Sequence, residues 1–447
     1  MLRGSLGGKG DADVMGREML THRVGIIFLI LCAEIIALAV LGDGAVIKVG
    51  PGESIQASIN TASPGDVIMV RSGTYNECIN INKPLTVFGM DEGNGMPILL
   101  NEGDSNKSII TLNSNGCIIR GMIIKNSKNY AINILSSRNL VDGNAIIGGD
   151  TAIYLRMSIS NIITHNDISV DKILGHGLVA MQSFNNTIKS NTIRFSGLAS
   201  NGIYLVRSTN NVISDNKIMG NSLIGGSGIS TRDAQYNILK NNWIETSGLW
   251  GSSIYIGTSV DNSVENNTVE HRDFSGSGIT IYFSSRNNIS NNTAYSIGQL
   301  NCNGIFLRWS NDNTISANKV FGIGREGSGV TLLYSEENNL VKNKVSNSSS
   351  GIYLGDSDKN KVEYNIGQHN SDQDIYIDFF CTDNSIKHNT ASLYIVEPRW
   401  SHIEDNIGSV TEFYVEEPDD VPMFTFYQII DLIYNISQFI LDHFIEN

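Results

Sequence analysis

Along most of the chain, apolar and polar residues alternate in short runs that return about every 25 residues. Gly202-Ile203-Tyr204-Leu205 is followed by Asn211-Val212-Ile213-Ser214-Asp215-Asn216-Lys217-Ile218. The same order returns from Gly228-Ile229 to Asn242-Trp243-Ile244, and from Gly304-Ile305-Phe306-Leu307 to Asn318-Lys319-Val320. A period of two within each run predicts strands, and a repeat of this length predicts a solenoid. From Ile98 to Val396 the pattern predicts about a dozen coils. Each holds a GIxL-type strand, a polar turn, an NxI strand, an Asn turn and a short third strand, stacked in parallel about 4.8 Å apart. All seven prolines lie at or before Pro97 or at or after Pro398. Their absence between suits strands whose N–H groups are all used. Asparagine recurs at one phase, at Asn166, Asn191, Asn216, Asn242, Asn267, Asn292, Asn318, Asn343, Asn365 and Asn389. Such a side chain tolerates the left-handed backbone of a tight turn, and its amide can both donate and accept up a stack.

The two ends depart from this pattern. Val24 to Val40 is an apolar run broken only by Glu34, with His22 and Arg23 before it and small residues after. That predicts a cleaved secretory signal or, left in place, a short membrane anchor over residues 1–44. Ser54 is placed to cap a short helix carrying Ile55, Ala57, Ile59 and Ala62, which would cover the first coil of a body spanning 45–410. Residues 411–447 read as an acidic linker, Glu416-Glu417-Pro418-Asp419-Asp420, and an amphipathic helix from Phe424 to Phe444. Asp431, Asn435, Gln438 and Asp442 form its narrow polar face. Its apolar face is expected over the last coil, with a dimer contact or a membrane surface as alternatives.

Pro51-Gly52-Glu53-Ser54-Ile55-Gln56, Ser63-Pro64-Gly65-Asp66, Gly73-Thr74-Tyr75, Lys83-Pro84-Leu85-Thr86 and the coils after them carry a resemblance. The chain resembles the right-handed parallel β-helix of pectin-lyase-like proteins, and in particular the NosD-type repeat proteins. The resemblance covers about residues 47–397 and implies an all-β solenoid. It implies less about activity, because the fold carries lyases, hydrolases, epimerases, surface proteins and factors of copper-enzyme maturation.

Alternation sends Ile203 and Leu205 inward and Tyr204 outward. The outward row then reads Tyr154, Val179, Tyr204, Ser230, Tyr255, Thr280, Phe306, Thr331, Tyr353, Tyr376 and Tyr394. Arg207, Arg232, Asp233, Tyr282, Phe283, Arg308, Trp309, Tyr334, Asp356 and Asp378 follow on the same coils. In the family this strand floors a polysaccharide groove. The resemblance therefore implies glycan-binding candidates at Tyr204, Arg207, Arg232, Asp233, Tyr255, Tyr282, Phe306, Arg308, Trp309 and Tyr353, with rings as flat apolar faces and charged groups fixing hydroxyls. The alternative is that the rings serve the sheet and stack on one another.

Composition narrows the choice further. The net charge of −14 with no Lys/Arg stripe excludes a nucleic-acid partner. Five cysteines at unrelated phases predict buried free thiols rather than a disulfide framework. Gly175-His176-Gly177 resembles the GHG motif of polygalacturonases, with Asp150 one coil earlier, but Thr151 stands where a second carboxylate belongs. A lyase or epimerase would need a base beside a cation, as at Arg232-Asp233 or Arg308 with Asp356. No metal is expected beyond a structural calcium ion, since no histidines are paired at ligand spacing. The sequence thus predicts an exported protein that binds or organises polysaccharide at the cell surface. A lyase or epimerase, or a structural surface-layer component, is the alternative.

Overall fold

The computed structural model describes residues 44–103, 107–396 and 400–414. Every described strand belongs to one of three parallel sheets, of 15, 16 and 13 strands, and most coils give one strand to each. Together they make a parallel β-helix of about 14 turns. Sheet 1 holds the GIxL strands, such as Asn201–Val206. Sheet 2 holds three-residue strands such as Val212–Ser214, and sheet 3 holds strands such as Lys217–Ile224. The third strand is therefore often the longest of the coil, not the short one that the pattern suggested. Its tail runs past the last inward side chain and bulges, with register shifts at Asn221/Ile224 and Ile297/Leu300.

Stacking is in strict register, as in Leu178↔Ile203↔Ile229↔Ile254↔Ile279↔Ile305. The core is one continuous column, made mostly of such aliphatic side chains and almost wholly without exposed area. Only short apolar runs are needed, because each strand contributes one or two inward residues. At the amino end, helix α1 (Ile55–Thr61) sends Ile55 and Ile59 into that core. Ser54 Oγ accepts from the Ala57 N–H at 3.1 Å, and the Glu77 carboxylate accepts from the Ile55 N–H at 2.6 Å. A carboxylate at a helix amino terminus is favoured by the partial positive charge there.

Three columns of polar side chains turn the corners. The expected asparagine phase is one of them. Asn216 donates its backbone N–H and its Nδ2 to Asn242 Oδ1, both at 3.0 Å, and its Nδ2 also reaches the Ile188 carbonyl at 2.9 Å. A second asparagine column, from Asn139 through Asn211 and Asn237 to Asn384, makes the same bonds at the other end of sheet 2. A third column is serine, with Ser183 N–H donating to Ser208 Oγ at 3.0 Å. One detail of the expectation is corrected. The left-handed residue of the Asn turn precedes the asparagine: Asp215 has φ 57°, as does Asn291 before Asn292. The asparagine side chain is free to point inward because its neighbour takes the strained backbone.

Cys117, Cys302 and Cys381 are buried free thiols and Cys78 is a partly exposed one. The segment 1–43, Cys32 within it, and the helix expected from Phe424 to Phe444 lie outside the described residues.

Candidate functional site

Sheet 1 places the outward row in register, Tyr204↔Ser230↔Tyr255↔Thr280↔Phe306↔Thr331↔Tyr353. The row faces away from the core, yet its rings are not open platforms. Tyr204 is 1% exposed and Tyr255 7%, while Phe306 and Tyr353 are half-buried. Tyr154, Val179, Met181, Tyr204 and Val206 form an apolar cluster separate from the core. Burial pushes the Tyr204 hydroxyl up to about 12, against the Arg232 guanidinium, which bonds it and pulls the other way. The expectation of an exposed ring row fails because the rings lie along the strands. A Cβ on Gly257 would stand 2.4 Å from the Tyr255 ring, and one on Gly355 would stand 3.0 Å from that of Tyr353. Farther up, Tyr353, Tyr376 and Tyr394 stack at 5.3 and 5.2 Å, so their faces are spent on each other. The Tyr353 hydroxyl donates to Asp378 at 3.0 Å.

The exposed aromatic groups stand one step along, at the turn that ends sheet 1. Here the column is Arg207, Asp233, Thr258, Phe283, Trp309, Tyr334 and Asp356, one residue per coil, each left-handed with φ between 44° and 49°. Phe283 and Trp309 stack at 4.7 Å and Trp309 and Tyr334 at 5.8 Å. Phe283 is 51% exposed and Tyr334 39%. Tyr282 meets Phe283 edge-on at 4.8 Å, and the buried Arg308 guanidinium lies 4.2 Å from the Trp309 ring centre. Such a cation fixes the indole from behind. Burial raises the Asp356 carboxyl, and the neighbouring Asp378 and Asp358 charges add to this.

The ring stack stops at Phe283. Below it Thr258 is short and Gly257 has no side chain, and the next coil down presents Arg232 and Asp233, 3.9 Å apart. Two strand spacings, about 10 Å, thus separate Phe283 from Asp233, and only the short Thr258 stands between them, which leaves a gap, or notch, in the column. The Tyr255 ring lies against Gly257 beside it. Thr258 is β-branched yet held at φ 44°, a conformation such residues rarely adopt.

Of the candidates, Arg207, Arg232, Asp233, Tyr282, Arg308 and Trp309 thus gather along one edge. Tyr204, Tyr255, Phe306 and Tyr353 belong to the sheet face, with the Tyr255 ring leaning over Gly257 toward the edge. Thr258 and the primary place of Phe283 were missed. The signal was available, since these residues directly precede the recurring serine of Ser208, Ser259, Ser284, Ser310 and Ser335.

The polygalacturonase-like pair does not form a site. His176 is buried and stacks above Thr151 in register. Its Nδ1 accepts from the Asn201 N–H at 3.1 Å, and burial lowers its pKa to about 4. A second histidine, His271, is equally buried, lies between Thr246 Oγ1 at 3.0 Å and the Gly248 carbonyl at 3.1 Å, and is likewise lowered to about 4. Among the described residues no three His, Cys, Asp or Glu side chains are placed to hold a metal ion. The Cys117 and Cys381 thiols bond carbonyls of Ser114 and Leu354 at 3.1 and 3.3 Å.

The family model described as "Periplasmic copper-binding protein (NosD)" matches residues 59–273 and 251–397. A comparison with curated proteins gives no match. Solved structures with a similar course of chain include the Dettilon tailspike protein (gp208), 14% identical with a TM-score of 0.46. That alignment covers 61% of this chain and 66%, just under two thirds, of the tailspike chain. The periplasmic alginate epimerase AlgG is 14% identical over 81% of this chain and 83% of its own, with a TM-score of 0.42. DFA-IIIase from Arthrobacter chlorophenolicus A6 is 13% identical over 67% and 92%, with a TM-score of 0.46. These likenesses carry no argument about activity.

Proposed function

The chain belongs to the family described as periplasmic copper-binding protein (NosD), and from that premise we propose an exported β-helix that binds polysaccharide at the cell surface, seating a sugar in the notch at Thr258. The observation that carries this reading is the interrupted ring column. A pyranose laid under Phe283 would take the place of the missing ring, and Arg232, Asp233 and Arg207 would meet its hydroxyls. Phe283 is the one ring of the stack with an open face on that side. Thr258 shares its left-handed backbone with the rest of the column, and its short side chain is what keeps the gap below Phe283 open.

The family description names copper. Among the described residues His176, His271, Cys117 and Cys381 stand singly, buried or bonded to backbone, without a cluster of three His, Cys, Asp or Glu side chains around an ion. The structural alternative has one observation in its favour: Phe283, Trp309 and Tyr334 already stack on each other.

A glycan array probed with the full chain and with two variants separates the readings. Phe283→Ala should weaken binding of the captured glycan about tenfold, the loss expected for an aromatic anchor. Thr258→Trp should fill the notch and abolish binding, with unchanged circular dichroism. Tyr353→Ala should bind as wild type. Capture of no glycan, or full binding by Phe283→Ala, leaves the structural reading.

A further inference from the structure

The corner leading from sheet 3 into sheet 1 carries an apolar residue at its tip in six successive coils: Ile173, Leu198, Ile224, Leu249, Phe274 and Leu300. Backbone bonds stack them. The Leu174 N–H donates to the Leu198 carbonyl, that of Ala199 to Ile224, that of Gly225 to Leu249, and that of Leu300 to Phe274. Five strand spacings make this ridge about 24 Å long. It is open to solvent, since Ile173 is 75% exposed, Phe274 40%, and Leu223 beside Ile224 63%. The bend itself does not ask for such residues. The corner between sheets 2 and 3 makes left-handed turns with His165, Ser190, Asp215, Asn241, Asn266 and Asn291, all polar. Elsewhere, the exposed pair Ile159 and Phe184 gives way to Thr209 and Gln235 within two coils. A continuous apolar surface as long as the ridge marks a contact.

We propose that two copies of the chain pair through this ridge, side by side and antiparallel, about a two-fold axis between the Ile224 and Leu249 coils. Such an axis requires a surface that complements itself. Here Ile173 of one copy would face Leu300 of the other, Leu198 would face Phe274, and Ile224 would face Leu249.

Charge sets the direction. Asp150 stands one coil before the ridge and Arg325 one coil after it, both exposed. Antiparallel pairing brings Asp150 of each copy to Arg325 of the other, at both ends of the contact. Lys172 then faces Gln299, and Asp273 faces Ser196, so no like charges meet. Parallel pairing would set Asp150, Lys172, Asp273 and Arg325 each against its own copy, and like charges in contact repel. The contact runs seven spacings, about 34 Å, and a corner of about five residues is roughly 15 Å across. That is about 500 Å² on each partner, the size of a weak, reversible pair. The ridge lies where the sheet 1 strands begin and the Thr258 turn where they end. Pairing leaves the notch open, and it stands or falls apart from the glycan reading.

Sedimentation and cysteine cross-linking of the full chain test it. The chain should dimerise reversibly at tens of micromolar, roughly what so small an interface supports. Leu223→Asp combined with Phe274→Asp should raise the dissociation constant at least tenfold, with unchanged circular dichroism. In a Cys78→Ser background, an equimolar mixture of Ile173→Cys and Leu300→Cys chains should form interchain disulfides under mild oxidation. Ile173→Cys alone should form no more than the background chain, because its two copies would stand about 24 Å apart, beyond disulfide reach. A monomer at about 100 μM, a dimer that the double aspartate variant leaves intact, no disulfide from the mixture, or a disulfide from Ile173→Cys alone would each overturn the pairing.

Discussion

Asn242 shows how much one side chain does here. Its Oδ1 accepts from both the backbone N–H and the Nδ2 of Asn216, while its own Nδ2 donates to the Ile213 carbonyl and to Asn267 Oδ1, each at 3.0 Å. Asn242→Ala strips partners from buried groups in the coil below, Asn216 and Ile213, and in the coil above, Asn267. At about 1–3 kcal/mol per buried polar group left unmatched, the loss should be on the order of 3 kcal/mol. Urea denaturation of this variant beside the surface variant Lys240→Ala would measure it, and near-equality of the two would remove the column from the stability argument. The inward asparagine was legible in the sequence because it recurs on a fixed period. The residue that takes the left-handed backbone was not, because Asp215, Asn241, Ala317 and Tyr364 share no chemistry at that position. What they share is a place in the turn.

The strand of sheet 1 is the element that the sequence described best and explained least. The alternation of Ile203, Tyr204 and Leu205 fixed which side chain faces which way. It could not say that an outward ring would lie down along its own strand. Gly257 exists for that reason, since a Cβ there would sit 2.4 Å from the Tyr255 ring and 2.8 Å from its hydroxyl. Gly257→Ala should therefore cost about 1–3 kcal/mol by overpacking, and lift Tyr255 from its 6.4 Å contact with Tyr282. In a Tyr255→Ala background the same change should be nearly neutral. A double-mutant cycle reads the coupling directly, and additive losses would refute the account. In the turn that follows, Arg207, Asp233, Phe283, Trp309, Tyr334 and Asp356 were singled out by type, but Thr258 and the single column they form were not. Its pattern is hidden because the column mixes Arg207, Asp233, Thr258 and Phe283, which no hydropathy period picks out.

At the scale of the whole molecule, the column behaves as a stack of coupled layers, and a group buried in one layer weighs on them all. His176 and His271 are neutral inside the fold, with pKa values near 4 against 6.5 for the free side chain. Above pH 6.5 neither state binds the proton, so they cost nothing. As pH falls from 6.5 toward 4, the unfolded chain takes up protons that the native one cannot, and stability drops by up to about 3 kcal/mol per histidine. Denaturation midpoints at pH 7, 6, 5 and 4 should fall accordingly, and His271→Gln should flatten the decline. An unchanged slope in that variant would mean that carboxylates alone govern it. Most of the described acidic groups stand at least partly in water, Asp66 being a buried exception, while the walls are held by backbone and amide bonds.

The amino-acid sequence by itself determined the parallel column, its period, its inward aliphatic residues and its asparagines. Each of these repeats along the chain, and a repeat in sequence is a repeat in space once every coil has the same length. Only the tertiary structure decided which outward groups are reachable. Accessibility depends on residues from neighbouring coils, on rings that lean over glycines, and on a gap at Thr258 that exists only because Asp233 and Phe283 stand on either side of it.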